Sequence, residues 1–218
     1  MKYGLSYTLI TRTTGFLGRT ILVYKSTEVN ELVSYLKNKN NLRLLDYGCN
    51  TGFFLDIVKK KYPQKEFDLY GADINRHALK YARKKYKEFT FYNIDKNLFK
   101  KGKFDVIVLA HVLEHVDDRE GLLHNLRRLL KDDGELIIVV PQERIRGDCT
   151  LFQLLYNIVT FRFENPHKVK IFFNDLKQLL RKQGLRITKH KYVHFLYPFK
   201  SNRRRLDSWS LIVRCRRT

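Results

Sequence analysis

Residues 42–52 read LRLLDYGCNTG, and the structure assigned to them decides the fold. Leu42, Leu44, Leu45 and Tyr47 make a short, mostly apolar run that stops at Gly48, which predicts a buried strand rather than a helix. Gly48, Cys49, Asn50, Thr51 and Gly52 then form a turn, and residues 53–61 (FFLDIVKKK) continue as an amphipathic helix closed by Tyr62 and Pro63. In an open α/β sheet the crevice beyond such a strand end is where ligands bind. The two glycines permit a tight turn and close approach of a ligand to the backbone, and the start of the helix offers free N–H groups.

The alternation continues outward from this unit. Residues 67–72 form a second strand ending at Asp73; a helix over 77–87, a strand at 89–92 and an almost wholly apolar strand at 104–109 follow. A helix around 119–130 leads to GELIIVV at 134–140, stopped by Pro141, and upstream a helix over 26–39 places Val29, Leu32, Val33 and Leu36 on one face. Strands apolar on both faces and separated by helices predict a parallel sheet covered on both sides, a doubly wound α/β fold. The end of the chain departs from this. Asn174 is positioned to cap a helix carrying Leu176, Leu179 and Leu180 that stops at Gly184, and strands near 185–195 and 208–216 have no helix between them, so one must run antiparallel. The expectation is one domain over 1–218, with an N-terminal helical cap (1–41), an insertion (142–170) and a terminal hairpin (185–217), built on a seven-stranded, mostly parallel sheet.

The composition agrees with a folded chain: 218 residues, 44% hydrophobic, with four prolines, 13 tyrosines and 15 phenylalanines. Cys49, Cys149 and Cys215 form no C-x-x-C pair, which predicts free thiols and a reducing compartment. The first residues show no secretory signal, and no run approaches the roughly 18 apolar residues of a membrane span. A cytoplasmic location is expected, with peripheral membrane contact left open. The net charge of +21 attracts anionic surfaces without choosing among RNA, phospholipid and phosphorylated compounds, and surface lysines on helices explain it equally well.

Asp73 follows the turn by about twenty residues, the spacing at which an acid at a strand tip accepts hydrogen bonds from both ribose hydroxyls. A nucleoside cofactor is implied. The pattern G-x-x-x-G lacks the glycine triad of dinucleotide sites, which argues against NAD.

On these residues the chain resembles class I S-adenosylmethionine-dependent methyltransferases. LLDYGCNTGFFLDIV resembles their first motif, YGADINRHALKYAR their second, and FDVIVLAHVLEHVDDREGLLHNLRRLLKDDGELIIVVP the run through the fourth and fifth strands. The nearest likeness is to the group that includes ubiquinone-biosynthesis O-methyltransferases, and it covers residues 42–141 best. The resemblance implies a Rossmann-like fold that uses S-adenosylmethionine and releases S-adenosylhomocysteine. Asp46, Gly48, Cys49, Asn50 and Gly52 would lie at the cofactor, Asp46 and Gly48 near its methionine part; Asp73 would bind the ribose, with Ile74 beside it. Asn93, Ile94 and Asp95 would flank the adenine, and Ala110 would line the pocket. Asn50 stands where such loops often carry glycine, and asparagine tolerates left-handed backbone angles.

AHVLEH at 110–115 also matches the H-x-x-E-H spacing of inverted zinc peptidases. Because FDVIVLA reads as a strand, His111 sits at its tip rather than inside a helix, and the peptidase reading fails. A divalent cation at His111, Glu114 and His115 is a lesser reading than simple bracing of the loop, and no metal site is assigned. Methyl transfer to a hydroxyl benefits from a base, and His111 and His115 are the catalytic candidates.

The insertion combines Arg144, Arg146 and Arg162 with apolar and aromatic residues that include Tyr156, and with His167; in this fold such a segment covers the acceptor site. Arg144, Arg146, Tyr156 and His167 are the acceptor-binding candidates. The acceptor is expected to be a small molecule, glycan or lipid. RNA methylation, favoured by the arginine-rich tail, and a non-catalytic cofactor-binding relative are the alternatives.

Overall fold

The computed structural model describes residues 23–94, 102–142, 171–194 and 196–218. Along them run α1 (Val23–Ser34), β1 (Leu42–Tyr47), α2 (Phe53–Lys61), β2 (Phe67–Asp73), α3 (Arg76–Lys85), β3 (Thr90–Asn93) and β4 (Phe104–Ala110). A 3-10 turn (Leu113–His115), α4 (Arg119–Leu129), β5 (Leu130–Pro141), α5 (Phe173–Lys182), β6 (Leu185–His194), β7 (Lys200–Ser201) and β8 (Ser208–Arg217) complete the order. The sheet runs β3-β2-β1-β4-β5-β8-β6-β7. Its first five strands are parallel, and β8 lies antiparallel between β5 and β6. Consequently β6 points the same way as β5.

The expected doubly wound sheet with an antiparallel terminal hairpin is present, with eight strands among the described residues instead of seven. The additional strand, β7, pairs only Lys200 and Ser201 with β6, too short to leave any periodicity in sequence. Asn174 does not cap α5: Phe172 is the N-cap residue, and its N–H donates to Asp175 Oδ2 at 3.2 Å. The other caps follow ordinary chemistry. Asn75 Oδ1 accepts from the N–H groups of His77 and Ala78, and Asp118 Oδ1 from that of Gly121.

The apolar strands serve two layers at once. On β4, Ile107 and Leu109 face a core with Leu123 and Leu126 of α4 and Leu176 and Leu180 of α5, while Val106 and Val108 face Leu32, Leu36, Leu55, Val58 and Leu79. Successive side chains point to opposite faces, so a strand covered on both must be apolar throughout. This arrangement holds the carboxyl ends of β1, β2, β4 and β5 at one edge.

One buried carboxylate of this sheet is surrounded by cations. Glu135 on β5, 1% exposed, accepts two hydrogen bonds from Arg214 Nη2 at 2.7 and 2.8 Å and one from Arg216 Nε at 3.0 Å, with Lys39 Nζ 3.4 Å away. Burial raises its pKa, and these cations more than reverse that, leaving it below the usual glutamate value. The stabilisation it contributes is therefore present above the ordinary glutamate pKa and is lost as pH falls through the lowered folded value. Glu135→Gln should lower stability by about 2 kcal/mol at neutral pH, because the half-buried Arg214 loses its counter-charge. Urea denaturation of both proteins at neutral pH and at pH about 3 measures this, and the difference should shrink in acid.

Candidate functional site

The turn after β1 is left-handed at alternate residues: Gly48 has φ 89°, Asn50 φ 47° and Gly52 φ 77°. Asn50 thus adopts the backbone expected of it, and the turn survives the missing glycine. The N–H groups of Gly48 and Cys49 both donate to the Ala72 carbonyl, at 2.7 and 3.0 Å, which fastens the turn to β2. A Cβ on Gly48 would lie 2.3 Å from Val112 Cγ2, so the turn presses directly on the loop that follows β4. Cys49 contributes main chain only. Its side chain is buried in the core beside Gly71, where an added Cβ would stand 2.7 Å from Sγ.

Asp73, at the tip of β2, accepts the Asn50 N–H at Oδ2 and the Asn75 N–H at Oδ1, each at 2.7 Å. Each carboxylate oxygen retains a further lone pair for a ligand hydroxyl. Burial raises the Asp73 pKa, opposed by the N–H groups of Asn75, Asn50 and Ile74. Burial, with the Asp73 charge nearby, pushes Asp46 up to about 7. Among the described residues neither acid forms an ion pair, although the chain carries +21 overall. Two buried acids without a cation fit a ligand that brings positive charge and ribose hydroxyls, and they repel a pyrophosphate.

The remaining cofactor candidates surround this point. Ile74 is 54% exposed, an apolar surface next to Asp73; the Ile94 N–H donates to the Asp73 carbonyl at 3.0 Å, and the buried Asn93 Oδ1 has no hydrogen-bond partner among the described residues. These features suit the flat face and polar edge of a base. Ala110 closes β4, half-buried against the α1-side core. Asp95 lies outside the described residues, as do Arg144, Arg146, Tyr156 and His167 and the whole of 143–170.

His111 follows β4 directly, in a left-handed conformation with φ 54°. Its Nε2 lies 3.0 Å from Glu28 Oε1, and its Nδ1 lies 3.7 Å from Glu114 Oε1. Burial pulls the imidazole pKa down, but the Glu28 charge and the Glu114 and Glu28 contacts outweigh it, so the value stands well above the ordinary histidine range. The two flanking carboxylates thus favour the imidazolium form of His111. Its side chain is 33% exposed, so it still meets the crevice. Glu114 is fully buried, and neither carboxylate oxygen has a hydrogen-bond partner among the described residues; His115 Nε2 approaches it at 4.0 Å. His111 and His115 therefore flank one buried acid, but among the described residues no three metal-binding side chains are arranged to hold an ion.

Glu28 escaped the sequence reading. A signal was present, because Glu28 stands one helical turn before Leu32 on the apolar stripe of α1, where a carboxylate needs a partner.

Residues 23–190 match the family model described as a methyltransferase domain. The chain belongs to that family. It is 30% identical over 169 residues to an uncharacterised protein of Methanocaldococcus jannaschii, covering 78% of this chain and 66% of the other. It is 32% identical over 110 residues to demethylmenaquinone methyltransferase of Thermotoga maritima, covering 50% of this chain and 47% of that protein. The chain thus spans between 47% and 66% of the length of these curated relatives. Among solved structures, a SAM-dependent methyltransferase of Aquifex aeolicus superposes with a TM-score of 0.68 at 16% identity, covering 98% of each chain. Magnesium protoporphyrin IX methyltransferase of Synechocystis, solved with bound S-adenosylhomocysteine, superposes with a TM-score of 0.61 at 19% identity over 90% of this chain and 84% of that one. At these identities the likeness is one of fold, and it places this member's sheet and crevice within the methyltransferase architecture.

Two outcomes check the site. Gly48→Ala should destabilise the protein by about 2 kcal/mol, since the new methyl meets Val112 and the residue sits at positive φ; adding Val112→Ala should restore part of that, the backbone strain remaining. Thermal denaturation of the single and double variants measures it. Glu28→Gln removes a charge that favours the imidazolium, so the His111 pKa should fall toward the ordinary range, followed by proton NMR titration of the ring.

Proposed function

We propose that the protein transfers the methyl group of S-adenosylmethionine to an oxygen of a small-molecule, glycan or lipid-like acceptor, releasing S-adenosylhomocysteine. The observation that carries this reading is the pair of buried acids, Asp46 and Asp73, around a left-handed turn and without a counter-ion among the described residues. The cofactor supplies a methyl group already activated by its sulfonium. The protein's task is alignment and, for a hydroxyl acceptor, proton removal.

In this reading the Asp73 carboxylate receives the ribose hydroxyls while the N–H groups of Asn50 and Asn75 keep it oriented. Asp46 faces the positively charged end of the ligand, whose arrival favours its ionised form. Ile74 and Ile94 bracket the base. Val112, pressed on Gly48, fixes the distance between the cofactor turn and the loop bearing both histidines.

In this reading the two histidines divide the labour. His111, kept protonated by Glu28, serves as a hydrogen-bond donor that orients the acceptor oxygen, and the base role passes to His115. The small-molecule acceptor class draws support from the relatives: by name, one of T. maritima acts on demethylmenaquinone and one of Bombyx mori is an O-methyltransferase of juvenile hormone acid.

Calorimetric titration with S-adenosylmethionine and S-adenosylhomocysteine should show one saturable site. Asp73→Ala should weaken both roughly a hundredfold, as two hydrogen bonds to a charged acceptor are lost. Absence of binding to either ligand would overturn the reading.

A further inference from the structure

Among the described residues five large hydrophobic side chains are exposed: Ile74, Phe172, Leu196, Tyr197 and Leu206. Ile74 belongs to the cofactor crevice. The other four gather at one place. Leu196 (64% exposed), Tyr197 (83%) and Leu206 (76%) lie within residues 196–207, the segment from the end of β6 through β7 to β8, and the Phe172 ring lies beneath the Arg204 guanidinium at 4.7 Å. Isolated exposed leucines need no explanation, but a cluster on one loop marks a contact surface.

The loop is braced so that these side chains stay outside. The His194 N–H donates to the Phe199 carbonyl at 2.7 Å and the Leu196 N–H to Asp207 Oδ2 at 2.8 Å. Arg205 pairs with Asp207 at 3.0 Å and reaches the Pro198 carbonyl at 3.3 Å. Arg205 and Asp207 are thereby spent on the scaffold, as is Lys200 on Glu31 at 2.6 Å. Arg203 and Arg204 are exposed and form no ion pair among the described residues.

Two leucines and a tyrosine at a tip, rimmed by two arginines without an ion pair among the described residues, match the chemistry of a bilayer interface: apolar groups enter the acyl boundary, a phenol rests at headgroup level, and cations meet anionic lipid. A nucleic acid would use the arginines and the tyrosine, but it gives two exposed leucines nothing to bury against. The topology adds a second argument. Because β6 runs parallel to β5, its carboxyl end opens onto the sheet edge that carries Gly48 and His111, with Pro141 and Val193 both in register with Ser210. Only β5 and β8 separate β4 from β6, so the loop lies about 14 Å along that edge from the strand bearing His111.

We propose that residues 196–207 form a docking loop for an anionic lipid surface, with Leu196, Tyr197 and Leu206 inserted and Arg203 and Arg204 on the headgroups. On the methyl-transfer reading, which the docking itself does not require, the acceptor site then faces the bilayer and a lipid-soluble acceptor enters from it.

The test is co-sedimentation of the full chain, without cofactor, with vesicles of phosphatidylcholine alone and of phosphatidylcholine mixed with phosphatidylglycerol. The protein should bind the mixed vesicles and bind the neutral ones far more weakly. Leu196→Ser combined with Leu206→Ser should weaken binding about tenfold or more. Arg203→Ala with Arg204→Ala should weaken it by a similar factor. Should the leucine variant fold poorly, Tyr197→Trp offers an independent readout, since brominated lipid should quench a tryptophan inserted at the tip. No binding to the mixed vesicles, binding indifferent to the leucine substitutions, or an unquenched Trp at 197 overturns the proposal. Retention of polyuridylate in place of vesicles also overturns it and makes the patch an RNA surface. Cofactor titration of the same variants reads the methyl-transfer proposal separately.

Discussion

The carboxylate of Asp73 holds the crevice together. It takes one N–H from the turn after β1 and one from the start of α3, so two segments that would otherwise diverge from neighbouring strands are tied at a single charged acceptor. Hydrogen bonds to a charged group in a buried position are among the stronger polar interactions a protein makes. Here they fix a left-handed turn that Asn50 would adopt only at some strain. With the turn fixed, Gly48 meets Val112 and the loop after β4 is set in place as well. A ligand bound by Asp73 would therefore be registered against His111 and His115 without any contact of its own to them.

Charge is distributed against the bulk composition. The chain carries +21, yet its crevice holds Asp46, Asp73, Glu28 and Glu114, all buried. Cations lie elsewhere, in the last turns of α2 and α3, around Glu31 and Glu135, and on the exposed 196–207 loop. A basic exterior and an acidic crevice suit separate tasks: positive surface charge attracts anions over distances set by screening, while buried carboxylates favour a cationic ligand at contact range. Net charge therefore bears on what the surface meets and not on what the site binds.

His111 shows how far a residue's chemistry can depart from its type. Histidine at a strand tip reads as a base because its ordinary pKa is near neutrality. The carboxylate of Glu28, brought from a helix 83 residues earlier, raises that pKa and so favours the cation. The left-handed backbone at His111 points to the same conclusion, since strain of this kind persists only where surrounding contacts hold it.

The strand-turn-helix at residues 42–61, the parallel character of the sheet, the acid at the tip of β2 and the antiparallel hairpin were all legible in the amino-acid sequence. Each is expressed within a few residues, as apolar runs, glycines and capping side chains, and local sterics enforce them. Shorter-range detail was less secure: Phe172, its N–H held by Asp175, rather than Asn174 caps α5, and β7, two residues long, had no pattern to show. Tertiary structure alone decided which acid faces His111, that Cys49 turns into the core, and that the exposed leucines of the last loop share the sheet edge with the crevice. Those outcomes depend on residues far apart in the chain meeting across a sheet, and protonation state, burial and patch formation are properties of the neighbours so acquired, not of the residues themselves.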